Sequence, residues 1–540
     1  MKPRLLIRIA VTASIVLLCT GFALYSYFRL TAIEKGGKVD LYTLVPADAT
    51  AVFETDDMTG FIEGLNGMSS TRNGVQPGVS PLFALVRANY ASLDGETAHG
   101  LSEEMNKVII SFHGGENGGE QVLYCLLSQA DRNLVNRFVG KYVSGQYPPK
   151  TTSYRGHKIR IYPLTDGNFL AVYLTSRFLV ISYQKHLIES VIDTEISGHN
   201  LLDEKGFRGV YNGKSSNRPA KLYVRMLPTS MGNLADSRRP SALLSGWVGL
   251  DFAFNSESLF LSGNTAVADT AFTFLHTLRT QQAVDSFPGA FLPASTFMFS
   301  RRSISDLPAL HRYSSGWDFR GDSSVSYVQQ RDDELFGYLS QYAGKALTTA
   351  LFHAPDTLAD PCAVMAIPIN DMAPAQQSFR EWITSLPADT LGRLLPSRMY
   401  LRVQQQNVVC WRLPRTTLFA RFTGITRPGL NPVVCFYDNR MFWAPDVRSL
   451  SAYIEFMLRK EVLQGKTAYE EAVSGMAPSY QYMLMADLAD VFRQPAAYVR
   501  TLPSFFFKHA DYFSHFVLSV QFTCADGEVE PHLALLYKGG

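Results

Sequence analysis

Two segments of this chain follow one pattern: "RFLVISYQKHLIESVID", Arg177 to Asp193, and "RMFWAPDVRSLSAYIEF", Arg440 to Phe456. Each has an arginine, a short apolar run, a break, and a helix-like stretch with apolar residues at matching places. A duplicated domain must give further matches in the same order with slowly drifting spacing, and the chain supplies them. "LVPADATAVFETDDMTGF" from Leu44 meets "FLPASTFMFSRRSISDL" from Phe291, with Pro46 against Pro293 at a spacing of 247. "VIISFHGG" from Val108 meets "TTALFHAP" from Thr348, setting Phe112 on Phe352 and His113 on His353 at 240. Arg177 then falls on Arg440 and Leu187 on Leu450 at 263, a drift that fits one loop insertion around Pro428. "AKLYVRM" from Ala220 meets "YQYMLMA" from Tyr480, and the segment from Leu250 meets the one from Leu518.

Each copy predicts the same elements. A strand opens after proline, which cannot donate to a ladder, and "TAVFE" and "TFMFS" supply its β-branched and aromatic residues. Helical spacing follows in "PLFALVRANYASL" and "ELFGYLSQYAGKAL", and again in "RNLVNRFVGKYV" and "AQQSFREWITSL". Adjacent strands come next: "HKIRIYPL" and "NFLAVYL" in one copy, "NVVCWRL" and "PVVCFYD" in the other. The expected fold class is α+β: an N-terminal single transmembrane helix, then two tandem, duplicated α+β lobes with largely antiparallel sheets, residues 42–285 and 286–540.

Residues 9–28, "IAVTASIVLLCTGFALYSYF", contain no charge. At about 1.5 Å per helical residue they span the roughly 30 Å core of a bilayer. Lys2, Arg4 and Arg8 precede them, and Tyr25, Tyr27 and Phe28 form an aromatic edge at the far end. The expectation is an uncleaved anchor with residues 1–8 cytoplasmic, 29–41 a linker, and the remainder periplasmic. No small-x-small cleavage site interrupts the bulky aromatics.

A chain of 540 residues that is 46% hydrophobic and 18% charged buries real cores. Its net charge of +2 provides no long-range attraction for nucleic acid. Beyond Cys19, the cysteines are Cys125, Cys362, Cys410, Cys435 and Cys524, each in an apolar, strand-like run. Their spacing fits neither a disulfide scaffold nor a metal site; buried free thiols are expected, with a Cys410–Cys435 bridge as the sharper alternative.

The sequence lacks HExxH, GxSxG, GxxxxGK[ST] and a strand-linked GxGxxG. The best local candidates are His113 with Glu116 and, in the other copy, His353 with Asp356. Two ligands do not make a metal site. Asp56 and Asp57 could do acid–base work, but Asp is also a common helix N-cap. The doublets Arg238–Arg239 and Arg301–Arg302 read as solvated turns, and the aromatics from Leu502 to Phe516 read as core packing. No catalytic, cofactor-binding or metal residue is assigned, and no cofactor is expected.

With its N-terminal anchor, "LVPADATAVFE" strand and succession "FLVIS", "LIESVID", "FRGVY", "AKLYVRM", the chain resembles an uncharacterised domain-of-unknown-function family of membrane-anchored Gram-negative envelope proteins. That resemblance implies an extracytoplasmic location and carries over no catalytic residue. The expected function is a non-enzymatic binding or structural component of the envelope, attached to the inner membrane through residues 9–28, with an envelope protein or lipid as partner and no nucleic acid. The alternatives are a lipid or hydrophobic-ligand binding or transfer protein, and an enzyme of unrecognised type.

Overall fold

A computed structural model describes residues 39–76, 78, 80–84, 87, 106–114, 120–127, 150–163, 169–211, 218–226, 246–266, 274–315, 325–355, 360–386, 398–423, 431–494, 502 and 504–539. Ten strands come first: β1 Ala51–Thr55, β2 Val108–His113, β3 Glu120–Leu126, β4 Lys150–Tyr154, β5 His157–Pro163, β6 Phe169–Leu174, β7 Phe178–Ser182, β8 Lys221–Met226, β9 Gly246–Phe254 and β10 Ser258–Ala266. Ten more follow: β11 Thr296–Ser303, β12 Ala346–Phe352, β13 Cys362–Pro368, β14 Arg398–Val403, β15 Gln406–Arg412, β16 Val433–Tyr437, β17 Arg440–Ala444, β18 Tyr482–Asp487, β19 Phe516–Ala525 and β20 Glu528–Tyr537.

All twenty strands belong to one antiparallel sheet, which corrects the expected fold class of two α+β lobes with sheets of their own. The reason lies in β10. Its residues Ser258–Ser262 pair with Leu536–His532 of β20, and the same strand also pairs with β9. A strand at a sheet edge exposes a row of unpaired backbone groups, and pairing removes that edge. Sequence repetition reveals what each copy contains; it does not reveal how edge strands pair. Residues 9–28 lie outside the described residues, among which no helix is long and apolar enough to cross a membrane.

Within this one sheet, a strand order occurs twice. The first ten run β10-β9-β8-β1-β2-β3-β7-β6-β5-β4, and the second ten β20-β19-β18-β11-β12-β13-β17-β16-β15-β14. The ladder pairings, the strand residues that face each core, and the matching backbone bonds from Leu201 N–H to Val45 O and from Leu463 N–H to Leu292 O together fix which residues correspond. They keep Pro46 with Pro293, at 247, but set His113 on Phe352 and Phe178 on Arg440. The expected pairs Phe112/Phe352, His113/His353 and Arg177/Arg440 are therefore each one residue out of register, and in a strand one residue reverses the face. Leu187 and Leu450 are both buried on the helices after β7 and β17, but Ile188 is the residue that matches Leu450.

Two compact units divide the chain. The first extends to Met226 and includes Gly246–Glu257 and Gly263–Ala266; the second holds Ser258–Ser262 and the remainder. In the first, helix Lys185–Ser197 turns Leu187, Ile188, Val191 and Ile192 onto the sheet, where Val122, Tyr124, Tyr173 and Val180 receive them. In the second, helix Val447–Arg459 buries Leu450, Tyr453, Ile454 and Phe456 against Val364, Val433 and Phe442. The i, i+3, i+4 spacing of these side chains makes one apolar stripe on each helix. The segment "ELFGYLSQYAGKAL" does not stay helical: the helix ends at Tyr342, Gly344 N–H bonds Pro368 O, and Ala346 opens β12.

Candidate functional site

His113 is buried at the end of β2 and forms a polar chain. Its Nδ1 lies 3.1 Å from Asp48 Oδ1 and its Nε2 2.7 Å from Ser111 Oγ, which is 3.1 Å from the Tyr124 hydroxyl. Neutral imidazole satisfies every member: Nδ1–H donates to Asp48, Nε2 accepts from Ser111, and Ser111 accepts from Tyr124. The hydrogen bond from His113 holds the Asp48 carboxyl below its ordinary value, and burial raises the Tyr124 hydroxyl far above its own. The order Asp–His–Ser has the connectivity of a hydrolytic triad, but such a serine must meet substrate. Ser111 is 0% exposed, and its hydroxyl is already committed twice, so this chain holds a strand end in place.

The other sequence candidates are dispersed. Glu116, Asp356 and the Arg238–Arg239 doublet lie outside the described residues. His353 stacks on Phe297 at 4.8 Å and lies 3.5 Å from Asp490. Among the described residues no group of three His, Cys, Asp or Glu side chains could hold a metal ion. Asp57 is an N-cap, accepting from Gly60 N–H at 2.9 Å. Cys410 and Cys435 face each other directly across β15 and β16, yet both are free and buried, and burial pushes the Cys410 thiol up to about 11. Of the C-terminal aromatics Phe513 and Phe516 are buried, whereas Phe505 is exposed.

Arg301 and Arg302 are not a solvated turn. They lie in β11, and Arg301 is 5% exposed, donating to Thr348 Oγ1 and Ser286 Oγ at 2.9 Å each. Burial, the largest influence, holds its guanidinium below the ordinary value; Tyr480 offsets this and the like charge of Arg440 adds to it. The guanidinium carbons of Arg301 and Arg440 stand 5.6 and 4.3 Å from the Phe291 ring centroid.

Beside that ring is a cavity of about 560 Å³, lined by Ala290, Phe291, Tyr437, Asp438, Phe442, Tyr453, Met457, Lys460 and Val462. Its volume falls within the range of about 300–1,000 Å³ usual for small-molecule sites. The wall carrying Phe291 is fixed by three tyrosines. Tyr453 donates to Phe291 O at 2.8 Å, Tyr480 to Ser286 O at 2.7 Å, and Gly289 N–H donates to the Tyr469 hydroxyl at 3.1 Å. A β-carbon on Gly289 would stand 2.6 Å from the Tyr469 ring, so only glycine fits there. Backbone bonds from Leu463 to Leu292 and from Ala294 to Glu461 join the same wall to the chain after the helix. The cavity is therefore preformed. Sequence reasoning overlooked it because its residues are scattered from Ala290 to Val462; the legible signal was Arg301 at an inward position of an apolar strand.

Residues 83–299 match the model of a family described as "Protein of unknown function (DUF3352)". No curated protein matches the chain. Among solved structures, one titled "Structure of crystal form I of TP0453" is similar over 44% of this chain and 82% of its own, at 11% identity and a TM-score of 0.25.

Proposed function

We propose that the protein is a binding component of the cell envelope without catalytic chemistry of its own. In this reading, residues 9–28 attach it to the inner membrane, the rest of the chain is periplasmic, and the cavity beside Phe291 holds the ligand. The observation that carries it is the preformed wall: aromatic side chains line an open cavity of about 560 Å³ while three tyrosine hydroxyls hold the loop that carries Phe291. Preorganisation of this kind lowers the ordering cost of binding. The uncharged run 9–28 supports the attachment.

Mass spectrometry of molecules extracted from the purified full chain tests the binding reading. A small molecule should be retained by the wild type and lost when Met457→Trp fills the cavity; equal retention by both would remove the cavity from the account. Attachment is tested separately by a thiol introduced at Gly36, which a membrane-impermeant reagent should label from the periplasmic side.

A further inference from the structure

One position that lines this cavity, Lys460, and two beside its Phe291 ring, Arg440 and Arg301, differ in charge from the corresponding positions of the first half. Where helix Lys185–Ser197 ends in Gly198, at φ 70, helix Val447–Arg459 ends in Lys460, at φ 57. Both caps are left-handed, a conformation that favours glycine, and the second half nevertheless places a lysine there, on the cavity lining. Where β7 opens with buried Phe178, β17 opens with Arg440, and where β1 carries Glu54, β11 carries buried Arg301. Asp438 is the one carboxylate among the lining residues, and it already accepts from Arg440 Nη1 at 2.9 Å. Arg301 donates its hydrogen bonds to hydroxyls, and its buried Nε has no hydrogen-bond partner among the described residues. A buried cation ordinarily has a counter-charge; Arg301 has none among the described residues, Arg440 is half-buried and paired with Asp438, and Lys460 is exposed on the lining.

We propose that this cavity binds a single-chain amphiphile with an anionic head, a carboxylate or a phosphate monoester. The chain lies against Phe291, Phe442, Tyr453, Met457 and Val462, and the head is drawn toward Lys460 and Arg440. This rests on the binding reading above and adds the sign of the ligand's charge. Retaining Lys460 in a backbone conformation that the first half gives to Gly198 has its explanation in that charge.

The test uses the full chain in nanodiscs of phosphatidylcholine, with hexadecanoate carrying a mid-chain diazirine as the probe. Photolysis should label the segment from Tyr437 to Val462. Lys460→Gly should lower that labelling about fivefold, the loss of one charge-assisted contact, and Met457→Trp should abolish it, with both variants melting as folded proteins by circular dichroism. Unlabelled hexadecanoate or hexadecyl phosphate should compete, and the stronger of the two identifies the head group. Hexadecyltrimethylammonium and inorganic phosphate should not compete. Equal labelling of Lys460→Gly and wild type, or equal competition by the cationic amphiphile, overturns the anionic head, and equal competition by phosphate alone overturns the amphiphile; each leaves the binding reading standing. Absence of label from the cavity, together with no molecule extracted from the purified chain, overturns both.

Discussion

At the end of β2 the first half has His113, and at the same ladder position β12 has Phe352. The exchange continues around it. Ser111 corresponds to Ala350 and Tyr124 to Ala366, so a hydrogen-bonded chain in one half is replaced by apolar groups in the other. The space is then filled from the helix: Phe352 packs on Tyr453 and Phe456 at centroid distances of 6.4 and 6.1 Å. Tyr453 corresponds to Val191, and it is also the side chain that anchors Phe291 and lines the cavity. One strand order thus tolerates two ways of filling the same layer, and the aromatic way has a cavity beside it.

Truncation should separate the two modes most strongly at Phe352. This side chain is fully buried among aromatic rings, and Phe352→Ala should destabilise the protein by about 3–5 kcal/mol, the range for a buried phenylalanine. Urea unfolding followed by circular dichroism reads the difference. A loss below about 1 kcal/mol would mean that the neighbouring rings collapse into the space, and the packing contrast between the halves would disappear.

The polar mode is tested at Ser111. Ser111→Ala installs the residue that the second half carries naturally, but in this half it strips partners from His113 Nε2 and the Tyr124 hydroxyl. Leaving buried groups unsatisfied should cost about 1–3 kcal/mol. Adding Tyr124→Phe removes one of those orphans, so the double variant should be more stable than the sum of the single losses. Strict additivity in the double-mutant cycle would show that the three groups do not act as a chain.

Much of this contrast was open to sequence reasoning, and the part that was not has a physical cause. The order of apolar runs revealed the repetition, since strands buried on both faces keep a continuous apolar run in both halves, as in β7 and β17. Register did not show through. Phe112 beside His113 and Phe352 beside His353 look alike as letters, but ladder pairing decides which residue faces the helix. Likewise, Arg301 and Arg302 read as a turn because charge usually marks solvent; β11 continues through both, and alternation turns Arg301 inward. Apart from that inward Arg301 the cavity left no mark in the sequence, because a β-hairpin, a helix end and a proline-glycine loop meet there from distant parts of the chain.

A smaller effect is expected at the helix caps. Lys460 has the left-handed conformation that Gly198 has in the first half. For an L-residue that conformation costs roughly 1–2 kcal/mol, and glycine loses about 0.4–1 kcal/mol of this advantage through its freer unfolded chain. Lys460→Gly should therefore raise stability by about 0.5–1 kcal/mol. Gly198→Lys should do the opposite by a similar amount. If Lys460→Gly instead destabilises the fold, the lysine is a structural cap and the two helix ends are not comparable.

The smallest expected effect distinguishes the halves by pH. Asp48 accepts from His113, while its counterpart Ser295 donates to the carbonyl of His353 and has no charge to titrate. The His113 hydrogen bond, ahead of the opposing effect of burial, holds the Asp48 carboxyl below its ordinary value. A carboxyl whose folded value is depressed binds protons more readily when the chain is unfolded. Its contribution is therefore complete above the unfolded value of about 3.9 and is lost as pH falls through the lower folded value. The carboxylate is largely exposed, so solvent screening keeps the contribution small. Asp48→Asn removes the titration and leaves an oxygen that can still accept from Nδ1–H. The stability gap between wild type and Asp48→Asn should be constant above about pH 5 and shrink below about pH 4. Urea melts across that range measure it, with Ser295→Ala as the control whose gap should not change with pH. A gap that widens on acidification would mean that Asp48 is protonated in the folded protein at higher pH than in the unfolded chain, and the direction assigned to the buried chain would be reversed.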